Sequence, residues 1–191
     1  MAKTPSVMID LGTKAPDFSL VEPATGNTVS LTDFSSKPIL VAFICNHCPY
    51  VIQMKQVFAS FTAEYMQQGL AVVAINANDV ENYPADSPEK MIEDVEQHDY
   101  RFPYLYDETQ AVASAYQAAC TPDFYLFDAQ HELYYRGQFD SARPGNDHPV
   151  TGEDMITAVK SLLADLPAPE PQLASLGCGI KWKQGNEPNL L

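Results

Sequence analysis

The stretch Ile39-Leu40-Val41-Ala42-Phe43-Ile44-Cys45-Asn46-His47-Cys48-Pro49 decides how this chain is read. Its first six residues are apolar without alternation and follow a proline, which predicts a short strand over 39–44 buried on both faces. From Cys48 to Gln68, Val51, Met54, Val57, Phe58, Phe61 and Tyr65 recur at spacings of three and four, the pattern of one amphipathic helix. Pro49 suits its first turn, where the missing N–H costs no bond, and Gly69 suits its C-cap. A Cys-x-x-Cys pair therefore stands at a strand-to-helix junction, where unpaired backbone N–H groups favour a thiolate. The expectation is thiol–disulfide exchange in which Cys45, the more exposed cysteine, attacks and Cys48 resolves the mixed disulfide. A hydrogen-bonding or protonated His47 beside Cys45 is expected to stabilise its thiolate further and make the couple more oxidising.

Outward from this junction the pattern is α/β. Residues 18–20 and 28–31 flank a turn-rich segment and read as a hairpin, with a single helical turn at 32–34. Residues 70–75 form a second buried strand, followed by a loop over 76–86. Ser87 and Pro88 open a helix as N-cap and first helical residue, and it should end near Asp99. A short strand at 103–106, a helix at 108–118, strands at 123–127 and 133–137, and a last helix at 153–166 complete the order. Parallel pairing through helical crossovers in the first half and a late hairpin predict a mixed sheet with helices on both faces. Residues 1–166 are expected to form one domain. Residues 167–191, opened by a proline-rich break and holding Cys178 and Trp182, are expected to be a C-terminal extension packing on or near it.

Composition narrows the function. The chain has 191 residues, 46% hydrophobic and 19% charged, as a globular chain should. A formal net charge of −14 argues against nucleic acid or an anionic membrane as partner, because phosphates need clustered Lys and Arg. No apolar run approaches the ~20 residues of a membrane span, and no signal-peptide core follows Met-Ala-Lys-Thr-Pro-Ser, so the expected location is the cytoplasm. There a close cysteine pair is catalytic or metal-binding more often than structural. Cys45, His47, Cys48 and Cys120 are zinc-type ligands. However, His47 and Cys48 are adjacent and no second Cys-x-x-Cys exists, so neither metal nor cofactor is expected. Cys120 is either a further redox thiol or a small buried residue. Cys178 is either a resolving thiol or a bystander. Arg136 is either a binding residue for oxidant or peptide or one half of an ion pair.

These residues together resemble the thioredoxin superfamily, in its redoxin (AhpC/TSA) branch of peroxiredoxin-like proteins and thiol–disulfide oxidoreductases. The resemblance is carried by Gly12-Thr13-Lys14-Ala15-Pro16-Asp17-Phe18, Cys45-Asn46-His47-Cys48-Pro49, Thr121-Pro122, Tyr135-Arg136-Gly137-Gln138-Phe139-Asp140 and Gly177-Cys178-Gly179-Ile180-Lys181-Trp182-Lys183. It implies a three-layer α/β/α sandwich with an N-terminal β-hairpin and a redoxin-type insertion. It also implies that Thr121-Pro122 is a cis peptide forming the groove where a substrate backbone docks. Set against the peroxiredoxin pattern, Cys48 takes the peroxidatic position, while Cys45 and Val41 stand where its threonine and proline would be. Ile39 occupies the region where thioredoxin carries a strand carboxylate. The resemblance implies protein or small-molecule disulfides as substrates with a thiol reductant as partner, or, as the alternative, hydrogen or organic peroxides. A third reading is a binding or sensing module without turnover.

Overall fold

The computed structural model describes residues 3–188. In chain order its strands and helices are β1 (Lys3–Pro5), β2 (Ser19–Val21), β3 (Thr28–Ser30), β4 (Ile39–Phe43), α1 (Pro49–Ile52), α2 (Lys55–Gln67), β5 (Ala71–Asn76) and α3 (Pro88–His98). They continue as β6 (Tyr104–Tyr106), α4 (Ala111–Ala115), β7 (Cys120–Thr121), β8 (Asp123–Phe127), β9 (Leu133–Arg136), α5 (Glu153–Leu163) and β10 (Leu176–Gly179). Seven strands make a mixed sheet in the order β3-β2-β6-β5-β4-β8-β9. The pairs β4–β5 and β5–β6 are parallel, and β4–β8, β8–β9 and β2–β3 are antiparallel. The central position of β4 explains its unbroken apolar run: every residue is buried. Because side chains alternate across a strand, Leu40 and Ala42 enter one core with Phe58, Phe61, Met91, Met155 and Val159 from α2, α3 and α5. Ile39, Val41 and Phe43 enter the other, with Val112 and Ala113 of α4 and Ile180 from the tail. The expected layered α/β sandwich and its N-terminal hairpin are both present.

The predicted single helix over 48–68 is two helices. Met54 N–H bonds to Val51 O, three residues back, which tightens the turn between α1 and α2. Beyond the turn, Lys55 points inward, a place its charge hides from a periodicity argument. The helix expected at 108–118 shrinks to α4 because Gln110 adopts a left-handed backbone, φ 64°. Its buried side chain donates to Ala77 O and Lys181 O and accepts from Lys183 N, so contacts with the tail override local propensity.

The larger departure from expectation is a second sheet. Strands β1, β10 and β7 form a three-stranded antiparallel sheet with β10 in the middle. None of the three has the length or alternation that marks a strand in sequence. Through β10 the C-terminal segment pairs with Cys120-Thr121, immediately before Pro122.

Candidate active site

The site is assembled where β4 ends. Cys45 lies just past the strand, and the helix begins only at Pro49, whose fixed φ sets its first turn. Cys48 is thus the N-cap, with extended backbone and no side-chain cap bond. Cys45 lies outside the helix altogether, so the expected stabilisation of its thiolate by the helix start does not apply. The expected exposure is not found either: Cys45 is 1% exposed and Cys48 0%. Both reach Thr121. The Cys45 Sγ is 3.3 Å from Thr121 Oγ1, and the Cys48 thiol donates to Thr121 O at 3.1 Å. The Thr121–Pro122 peptide is cis, as the resemblance implied.

The two thiols share a hydrogen bond, so their protons leave as a pair and not independently. That bond, followed by burial and the negative charge of Asp86, holds Cys45 well above the ordinary thiol range. Cys48 is pulled down to about 5, chiefly by the hydrogen bond from Cys45, against its burial and with help from the thiol and backbone N–H of Cys178. The carbonyl of Thr121 only accepts, so it serves the Cys48 thiol and not its thiolate. The donors that hold the negative charge are the Cys45 thiol, the thiol and backbone N–H of Cys178 and the Thr121 hydroxyl. The groups around the pair favour the thiolate at Cys48 and the protonated thiol at Cys45, the opposite of the expected division of labour.

Asp86, which went unnoticed in sequence, anchors the loop between the cysteines. It is fully buried and accepts the N–H groups of Asn46 (2.8 Å) and His47 (3.4 Å), Asn78 Nδ2 (2.8 Å) and His47 Nδ1 (2.6 Å). His47 is stacked at 5.8 Å on Tyr83, and its side chain is 24% exposed. Its role is set by Asp86, which fixes the ring while adding negative charge near Cys45. Asn46 is held by Tyr104 OH (3.0 Å), by Ala85 O (3.0 Å) and, through its own carbonyl, by Lys55 Nζ (3.0 Å). Lys55 pairs in turn with buried Asp94 at 2.5 Å. Nothing in the sequence separates Asp86 from the acidic residues around it, since it reads only as the end of a loop before the Ser87 cap.

Cys45, His47 and Asp86 also place one ligand-type atom each within 4.8 Å of one another. This set differs from the zinc-type residues weighed in sequence. Its carboxylate is already saturated by four N–H donors, the chemistry of a hydrogen-bond anchor.

The remaining residues separate clearly. Cys120 is buried, its thiol faces Pro122 O at 3.6 Å, and burial followed by the charge of Asp123 pushes it up. Cys178 sits on β10 opposite Thr121 and is pushed up to about 11 by burial and by its hydrogen bond to Cys48. Arg136 cannot meet a substrate. It is fully buried, paired with Asp123, and donates to Val7 O, Phe124 O and Tyr125 OH. Among the described residues, no helix is long and apolar enough to cross a membrane.

A layered mixed sheet, a Cys-x-x-Cys pair past its central strand and a cis-proline facing that pair define a thioredoxin-like protein of the redoxin type. The chain belongs to the AhpC/TSA family, whose model matches residues 11–136. Two solved structures are similar over nearly the whole chain. One is an uncharacterized conserved protein from Geobacillus kaustophilus, 49% identical with a TM-score of 0.94, covering 97% of this chain and 98% of that one. The other is a hypothetical protein from Sinorhizobium meliloti, 48% identical with a TM-score of 0.93, covering 95% and 100%. A putative thiol:disulfide interchange protein from Chlorobium tepidum shares the fold at 21% identity, with a TM-score of 0.64 over 82% of this chain and 99% of that one. No curated protein matches the chain.

Proposed function

We propose that this chain is a thiol–disulfide oxidoreductase in which Cys45 and Cys48 cycle between dithiol and disulfide. The observation that carries the reading is the thiol pair seated together against Thr121, just before the cis-proline, with the Cys45 Sγ 3.3 Å from Thr121 Oγ1 and the Cys48 thiol donating to Thr121 O at 3.1 Å. The Cys48 thiolate attacks a substrate disulfide, one substrate thiolate leaves, and a mixed disulfide forms at Cys48. Cys45 gives up its proton and attacks Cys48 Sγ, releasing the second substrate thiol and leaving the Cys45–Cys48 disulfide. His47 positions the loop through Asp86, and Thr121-Pro122 receives the substrate backbone. A thiol reductant of the reducing cytoplasm, where we place the reaction, returns the pair to the dithiol.

One observation favours a second reading, thiol peroxidase activity. Cys48, the cysteine at the peroxidatic position, is the one whose thiol is pulled down. Its thiolate attacks a peroxide oxygen to give a sulfenic acid and release water or an alcohol. Cys45 then condenses with the sulfenic acid, releasing water and forming the same disulfide.

The deciding experiment runs dithiothreitol-driven turnover with an insulin-type disulfide and with hydrogen peroxide, on wild type, Cys45→Ser and Cys48→Ser. Disulfide reduction that needs both cysteines supports the first reading. Peroxide consumption that needs Cys48, without disulfide reduction, supports the second. Absence of both with an intact dithiol leaves a binding module.

A further inference from the structure

The peptide edge at Cys120-Thr121 offers backbone groups directly beside the thiol pair, a setting in which an extended chain adds as a strand and gains main-chain hydrogen bonds. That edge is already occupied by this chain's own tail. Strand β10 runs antiparallel to it, with Cys178 opposite Thr121 and Gly179 opposite Cys120. Strand β1 holds the outer side of β10, with Lys3 opposite Cys178, and Ser6 N–H bonds to Ser175 O.

The approach is close enough to require glycine. A Cβ on Gly177 would lie 2.0 Å from Thr121 O and 2.6 Å from its carbonyl carbon, both backbone atoms that cannot swing aside. This seating sets Cys178 opposite Thr121, the residue whose carbonyl takes the Cys48 thiol at 3.1 Å. The crevice flanking Pro122 keeps only about 20 Å³, with Ser175 and Leu176 of the tail among its lining residues.

We propose that β10 is an internal occupant of the substrate-docking edge and that Cys178 is a third redox thiol, exchanging with Cys48 through a Cys48–Cys178 disulfide. The inference rests on the dithiol reading above. After Cys48 has formed a mixed disulfide with substrate, the Cys178 thiol attacks Cys48 Sγ and passes its proton to the leaving substrate sulfur. The Cys48–substrate S–S bond breaks, the second substrate sulfur leaves as a thiol, and a Cys48–Cys178 bond forms. Cys45 then attacks Cys48 Sγ, releasing Cys178 as a thiolate that takes up a proton, and the pair rests as Cys45–Cys48. Two electrons pass from the protein to the substrate disulfide overall. The tail must leave the edge for a substrate to enter and return for Cys178 to react, so it both gates and completes the cycle.

The test uses the full chain as Cys45→Ala, with Cys45→Ser as the second variant should the first fail to fold. Each is treated with diamide, whose azo group takes the two electrons and two protons, then alkylated, digested and mapped by mass spectrometry. The expected product is an intrachain Cys48–Cys178 link in most molecules. Cys48 found free, joined to Cys120 or joined between chains overturns the proposal. Wild type treated in parallel separates the two ideas. If it forms no Cys45–Cys48 disulfide, the dithiol reading fails. If it does and the variants form no Cys48–Cys178 link, only the tail proposal fails. In a second arm, Gly177→Ala with native near-ultraviolet dichroism should raise the iodoacetamide rate at Cys48 at least tenfold, and an unchanged rate overturns the gating.

Discussion

Replacing Cys45 with alanine tests the shared proton directly. The largest influence pulling Cys48 down from 9.0 to about 5 is the hydrogen bond from Cys45. Contributions from Cys178 and Thr121 survive the substitution, as does the burial that opposes them, so the Cys48 midpoint should rise by about 1–4 units. The rate at pH 7 is the wrong quantity to watch. At a pKa of about 5 the thiol is ~99% ionised at pH 7, and at 9.0 only ~1%, a ~100-fold loss of thiolate. Intrinsic nucleophilicity rises with pKa with a Brønsted coefficient near 0.45, which over four units returns about 60-fold. The two effects nearly cancel, and the midpoint of the pH profile is what moves. The assay is iodoacetamide alkylation of Cys48 from pH 4 to 10, quantified peptide by peptide. A wild-type midpoint near that of a free thiol, or one that stays put in Cys45→Ala, refutes the assignment of the activated sulfur to Cys48.

Three further outcomes follow from buried groups. Asp86→Asn turns an amide N–H₂ toward the donors His47 Nδ1 and Asn78 Nδ2. It should cost about 2–4 kcal/mol in urea unfolding, and a loss below about 0.5 kcal/mol would dismiss Asp86 as the loop's anchor. Arg136→Met leaves Asp123, among the described residues, with Ser6 Oγ and Ala119 N as its partners in the interior. It should lower stability by about 3–5 kcal/mol without changing the Cys48 alkylation midpoint, and a shifted midpoint would return Arg136 to the active site. Cys120→Ala should keep wild-type disulfide reduction and lose about 1 kcal/mol of stability from the small void it leaves, whereas lost turnover would make Cys120 a redox thiol.

Much of the framework was legible because it is local. The run Ile39–Phe43 is apolar on both faces since β4 is central, and Ser87 caps α3 by accepting the Lys90 N–H. Gly69, φ 101°, follows α2 as expected. Lys55 and Gln110 misled the pattern because each carries its polar group into the interior to serve a residue distant in sequence. Asn46 and Asp94 hold the first, and the carbonyls of Ala77 and of Lys181 in the tail take the second.

By itself the sequence determined a Cys-x-x-Cys pair between a buried strand and a helix, because strand burial and helix periodicity act over a few residues, while the Thr-Pro segment that faces it was implied by the family resemblance. Only the tertiary structure decided which groups surround each sulfur, that Asp86 supports the loop, and that the tail lies on the edge at Thr121. A thiol's pKa is set by donors and charges within a few ångströms, and those around Cys48 come from Cys45, Thr121 and Cys178. Thr121 and Cys178 reach it through strand pairing across the fold, which no local pattern encodes.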